Sequence, residues 1–144
     1  GPGQRKSEKF RLRPMTFADW KNFVETEAAE PSFLLKSMLP DAPSELELEL
    51  RKIEPWYGRL TTLLAQANSH LDKAEYDAAS GRADSETMLD KKIRVKAATS
   101  EQRELRDKVK GIVDAIDNRL RLGMSLMKAN VKEKNSATMR ERVI

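Results

Sequence analysis

Ten positions in the middle of the chain, Leu46, Leu50, Ile53, Tyr57, Leu60, Leu64, Ala67, Leu71, Ala74 and Ala78, recur at alternating spacings of four and three. This is an unbroken heptad stripe, and it predicts a long helix that buries one narrow seam against other helices. Ser44 with Glu47 has the form of a capping box, so the helix is expected over about 45–80, roughly 54 Å at about 1.5 Å per residue. Pro55 falls inside it without changing the heptad phase, which predicts a kink or a short break that restores the register. Ser80 and Gly81 should end the helix, with Gly81 in the left-handed cap.

A shorter helix is expected before it. Thr16 can cap a turn with Asp19, and Phe17, Trp20, Phe23 and Val24 form an apolar face that should end near Glu30, before Pro31. Phe33, Leu34, Leu35, Met38 and Leu39 then make an apolar turn closed by Pro40 and Pro43. After a turn at 81–84, a second long helix should run to about Lys134. Leu89, Ile93 and Ala97 begin its apolar face, and Leu105, Val109, Ile112, Ile116, Leu120, Met124, Met127 and Val131 continue it. The later spacing is closer to 3.7 than to 3.5, so supercoiling should weaken there, and Thr99 with Gln102 allows a bend near 99.

The expected fold is therefore all-α: an elongated antiparallel helical hairpin with an additional N-terminal helix, oligomerising through coiled-coil-like seams. Residues 1–15 read as a basic tail opening on an expression scar, Gly1-Pro2-Gly3. Residues 16–43 form the N-terminal helix and apolar turn, 44–134 the hairpin, and 135–144 a C-terminal tail. A homo-oligomer is expected because the seam, with Leu46, Leu50, Ile53, Leu60, Leu64 and Leu71 at its centre, is too extended for one hairpin to cover. The small residues Ala67, Ala74 and Ala78 permit close helix approach.

Composition narrows the chemistry. The 144 residues contain no cysteine, which removes disulfides and thiolate metal sites, and no apolar run approaches a membrane span. No signal segment is expected, and a cytoplasmic setting fits. His70 is the sole histidine and reads as a surface residue. Carboxylates at helical spacing, Asp114 with Asp117 and Glu101 with Glu104, read as solvated acids and not as metal ligands. No phosphate loop or dinucleotide fingerprint is present. The expectation is a non-enzyme without cofactor or metal.

Charge is unevenly divided. Residues 1–81 hold 11 Lys and Arg against 13 Asp and Glu, whereas 82–144 hold 16 against 10, a net of +6. Lys91, Lys92, Arg94 and Lys96 cluster after the turn, followed by Arg103, Arg106, Lys108 and Lys110, then Arg119 and Arg121. One reading makes these solvated helix faces that pair with the acidic stretches 45–54 and 72–77. The other makes them a site for a polyanion, with phosphate contacts dominating because aromatics for base stacking are few.

Two segments, LDKAEYDAASGRAD (Leu71 to Asp84) and VDAIDNRLRLGMSLMK (Val113 to Lys128), resemble the family of the phage recombination mediator UvsY in order and separation. Ser80, Gly81, Arg82, Asp84, Asp114, Ala115, Ile116 and Arg119 match the family pattern, and Lys73 falls where it carries a basic DNA-contacting residue. Glu75 departs from a second basic position, and Ala78 and Ala79 replace an aromatic pair. The resemblance covers about residues 45–130. It implies a ring-like homo-oligomer that binds single-stranded DNA, loosens a single-strand binding protein and helps load a RecA-like recombinase, in a host-cell cytoplasm and without nucleotide hydrolysis in this chain. The DNA-binding residues expected on charge and resemblance together are Lys73, Arg82, Lys91, Lys92, Arg94 and Lys96. The competing class is a structural or scaffolding coiled-coil oligomer without nucleic-acid affinity. A membrane-surface role is weaker, since the basic helix carries no Trp or Phe on its apolar face.

Overall fold

The computed structural model describes residues 15–81 and 85–143, with side chains described as far as Asn135. Helices α1 (Phe17–Leu34), α2 (Pro43–Ser80), α3 (Met88–Ala98) and α4 (Ser100–Val143) account for its regular structure, and no strand occurs among the described residues. The all-α class is as the periodicity requires. Along the hairpin, Glu75 faces Arg103 at one end and Leu50 faces Gly123 at the other, so α2 and α4 run antiparallel.

The first helix begins as its sequence indicates. Thr16 accepts a hydrogen bond from the Asp19 amide at 3.1 Å, and Trp20, Val24 and Ala28 turn inward. It does not stop at Pro31. Pro31 is buried inside α1, and the helix continues because Leu34 and Leu35 beyond it pack on the core. The long helix also differs at its ends. Pro43 occupies its first turn, where a missing amide costs nothing, so Ala42 is the cap residue and the Ser44 to Glu47 box does not form. Gly81 closes it at φ −90°, outside the left-handed region. Pro55 neither breaks α2 nor shifts its partner face: it lies on the exposed side, as does Arg51, whose carbonyl it leaves without an amide.

The seam expected at an oligomer interface is used within the chain. Leu46, Leu50, Ile53, Leu60 and Leu71 are buried and Leu64 is half-buried, so these side chains are unavailable to a second copy. In mid-helix the buried line moves sideways, taking in Leu63 and leaving Tyr57 38% exposed. The cause is a third helix. Trp20 of α1 donates to Gln66 at 3.2 Å and packs its ring, tilted by 39°, against that of His70, drawing that flank of α2 into the core. The resulting core joins Trp20 and Val24 to Ile53, Leu60 and Ala67 and to Leu105, Val109, Val113 and Ile116.

The second long helix is two helices. Thr87 caps α3 by accepting from the Asp90 amide at 3.1 Å, and the chain breaks at Thr99 before α4 begins. The break is not the Thr99 to Gln102 box: the Thr99 hydroxyl donates back to the Val95 carbonyl at 2.8 Å, and the Arg103 guanidinium donates to Thr99 Oγ1 and to the Lys96 carbonyl. No residue of α3 is buried, and Leu89, Ile93 and Ala97, expected to face inward, are exposed. On α4, Gly123 takes the inward position expected of Met124, because only hydrogen fits against Leu50. The inward line 105, 109, 113, 116, 120, 123, 127 therefore keeps a near-heptad phase.

Candidate nucleic-acid interface

Where α2 ends and α3 folds back beside it, an open groove of about 670 Å³ forms. Its two walls differ in chemistry. Helix α3 contributes Lys91, Lys92, Val95 and Lys96, with Arg103 of α4 below, whereas α2 contributes Asp72, Glu75, Tyr76 and Ala79. Helical spacing explains the walls: positions 92 and 96, and 91 and 95, fall on one side of α3, as 72, 75, 76 and 79 do on α2.

The ammonium groups of Lys91, Lys92 and Lys96 form no ion pair among the described residues, whereas other cations nearby are committed. Arg103 lies 3.7 Å from Glu75 and braces the α3–α4 break. Arg94, expected to contact DNA, instead staples α3 to α2. Its guanidinium makes two bonds to the Glu86 carboxylate, at 2.7 and 3.0 Å, and donates to the Ala78 carbonyl. The hydrogen bond to Glu86 raises its pKa above its ordinary value. Arg94 therefore has a structural role, holding α3 to the end of α2.

Lys73 is exposed on α2 but does not line the groove. Arg82 lies outside the described residues. The groove therefore assembles three of the six expected DNA-binding residues, Lys91, Lys92 and Lys96, and adds Tyr76, Met88 and Arg103. Tyr76 carried a signal in the sequence: it falls three positions after Lys73 and two after the seam residue Ala74, at the outermost heptad position, where an aromatic side chain has no packing reason to be.

Other candidates resolve into structure. His70 is not an isolated surface residue, since its ring lies 4.4 Å from that of Trp20 and 5.7 Å from that of Phe17. Asp117 pairs with Arg121 at 3.0 Å and Glu101 with Lys21 at 3.1 Å. That Glu101 contact raises the Lys21 pKa above its ordinary value. Among the described residues no group of three His, Asp or Glu side chains is placed to hold a metal ion, and no helix is long and apolar enough to cross a membrane.

The segment from Asp114 to Arg119, part of the resemblance to the UvsY family, is built into the fold. Ile116 is fully buried, and the Arg119 side chain, 9% exposed, donates to the Ser37 carbonyl at 2.7 Å and to Ser37 Oγ at 3.1 Å, pinning the α1–α2 connection to α4. Comparison with known proteins finds no matching family model, no matching curated protein and no matching solved structure.

Proposed function

We propose that this chain is a single-stranded DNA-binding protein of the recombination-mediator kind, which binds the strand along the α2–α3 groove and acts as a homo-oligomer. The observation that carries the reading is the row of Lys91, Lys92 and Lys96 along one wall of an open groove, without ion-pair partners among the described residues, while Arg94, Arg103 and Arg119 are held by the protein itself. A solvated helix face that existed for solubility would not need its cations gathered opposite an aromatic ring. Each phosphate bound releases counterions, and shallow sites repeated around an oligomer gain avidity without a deep pocket.

The oligomer draws support from α4. Leu50 against Gly123 sets a register that brings Pro43 opposite about residue 130, so α4 runs on past the end of α2. Met124, beside the Leu50 contact, and Val131, just past the end of α2, are each 58% exposed and leave an apolar shoulder on α4. The same shoulder would serve a scaffolding coiled-coil oligomer, and the DNA titration separates the two.

A single-strand titration at two salt concentrations is the test. Three phosphate contacts give a slope of log K on log salt of about −2 per site, and replacing Lys91, Lys92 and Lys96 together by Ala should remove most of it. An unchanged slope would move the site elsewhere, and no salt-sensitive binding at all would leave the scaffold. For mediation, the chain should co-occupy the strand with a single-strand binding protein, speed that protein's release and shorten the lag of a RecA-like recombinase. One-for-one displacement with no faster loading would remove the mediator part of the reading.

A further inference from the structure

The sequence has few aromatic residues, which argues for a strand held by its phosphates alone, yet one of them stands on the groove. Tyr76 is 74% exposed, makes no ring contact with another aromatic among the described residues, and forms part of the α2 wall facing Lys91, Lys92 and Lys96. The groove is therefore two-sided, with an aromatic face and the carboxylates of Asp72 and of Glu75, the latter 3.7 Å from Arg103, on α2 and ammonium groups on α3. A phosphate is repelled by the first wall and attracted by the second. A nucleobase is the reverse: its face stacks on a ring, and its ring or exocyclic N–H groups donate to carboxylates.

We infer that Tyr76 is a base-stacking platform, so that a single strand lies in this groove with one nucleobase turned toward α2 on the Tyr76 ring and its flanking phosphates turned toward Lys92 and Lys96. This inference rests on the single-strand reading above and adds the strand's orientation. The spacing suits it. Lys92 and Lys96 are separated by about 6 Å of helical rise, a step that consecutive phosphates of a flexible strand can follow. Met88, also 74% exposed, extends the apolar floor beside the lysines, and the groove volume of about 670 Å³ lies within the range of sites that enclose a small ligand. Stacking on one ring is tolerant of sequence because every base presents a π face. An acidic protein segment would satisfy the lysines, but it has no group for the ring and would be repelled by Asp72 and Glu75.

The experiment compares a fluorescein-labelled oligothymidylate of about sixteen nucleotides with an abasic strand of the same length and phosphate number, by anisotropy, on the full chain. The native protein should bind the thymidylate about tenfold more tightly than the abasic strand. Tyr76→Ala should abolish that preference while leaving the salt slope and the helical circular dichroism unchanged, and Tyr76→Phe should keep it. If Tyr76→Ala retains the full preference, the platform is wrong and the groove's single-strand binding stands. If neither strand binds the native protein, the single-strand reading itself fails and the platform with it. If poly-glutamate of matched charge displaces the labelled thymidylate as well as unlabelled thymidylate does, the groove is a site for acidic protein segments, and the inference is overturned.

Discussion

Gly123 shows how much one missing side chain can decide. A Cβ built there would stand 2.3 Å from Leu50 Cδ2 and 2.9 Å from Leu50 Cγ, and Leu50 is itself buried, so the side chain cannot swing aside freely. Gly58 and Gly111 are also helical, but nothing lies within 4 Å of their added Cβ. The three glycines should therefore respond with opposite signs to alanine. Gly58→Ala and Gly111→Ala should each stabilise by up to about 1 kcal/mol, the helix-propensity difference, and raise Tm by a few degrees. Gly123→Ala should lose about 1–2 kcal/mol net, the overpacking cost exceeding the propensity gain. Thermal unfolding of the three variants checks this, and a stabilised Gly123→Ala would mean that α2 and α4 pack less closely at Leu50 than described.

Among the elements, α3 is the least secured. It has 11 residues, none of them buried, and isolated helices of that length are marginal in water. Arg94 ties it to the end of α2 through the Ala78 carbonyl and to the connection before α3 through Glu86. Arg94→Ala should leave the core of α1, α2 and α4 folded while α3 amides lose hydrogen-exchange protection, and with them the ordered row of Lys91, Lys92 and Lys96. On the proposed function, strand affinity should then fall with the loss of the ordered lysine row. Equal protection of α3 in the variant would show that the groove does not depend on the staple.

At the other end of the bundle Arg119 performs a comparable task, and Arg119→Lys should not restore what Arg119→Ala removes, because the fork that reaches both Ser37 oxygens needs a planar guanidinium. The Lys21 to Glu101 tether between α1 and α4 has a defined pH sense. Its raised lysine contributes fully below the ordinary value of 10.5 and loses that contribution as pH climbs through the raised one. A stability difference between native protein and Lys21→Met should accordingly be level at neutral pH and shrink only above about 10.5, as followed by denaturant titration.

For the whole molecule, the proposed function needs association, which would let a shallow groove bind through avidity. With the α2 seam consumed internally, the apolar surface left exposed on the hairpin includes the α4 shoulder around Met124 and Val131 and the outer face of α3 around Leu89 and Ile93. Met124→Glu with Val131→Glu should reduce the mass seen by light scattering to one chain without loss of helix, and should weaken strand binding more than the loss of any single lysine, since avidity disappears. A native protein of one-chain mass at micromolar concentration would remove the oligomer and the avidity argument together.

The all-α class and the long α2 helix were legible in the amino-acid order because they follow from local periodicity, and the antiparallel pairing because the connection is short; the passage of α1 through Pro31 and the division at Thr99 were not. The stripe from Leu46 to Ala78 and the Thr16 cap depend on residues three or four apart, and such neighbours are close in any helix. The absence of any residue pattern for strands follows in the same way, and so does the gathering of positive charge after residue 82. What the order of residues could not decide is how each side chain is spent. Arg94 and Lys92 look alike along the chain, and they part company because the Ala78 carbonyl, 16 positions away, comes within reach of one. Arg119 is claimed by Ser37, 82 positions away. Gly123 displaces Met124 from the seam because Leu50 arrives against it, and Tyr76 faces three lysines because α3 folds back beside α2. A charge or a ring acquires its role from what tertiary packing brings to it, and that depends on distances in space which helical periodicity does not encode.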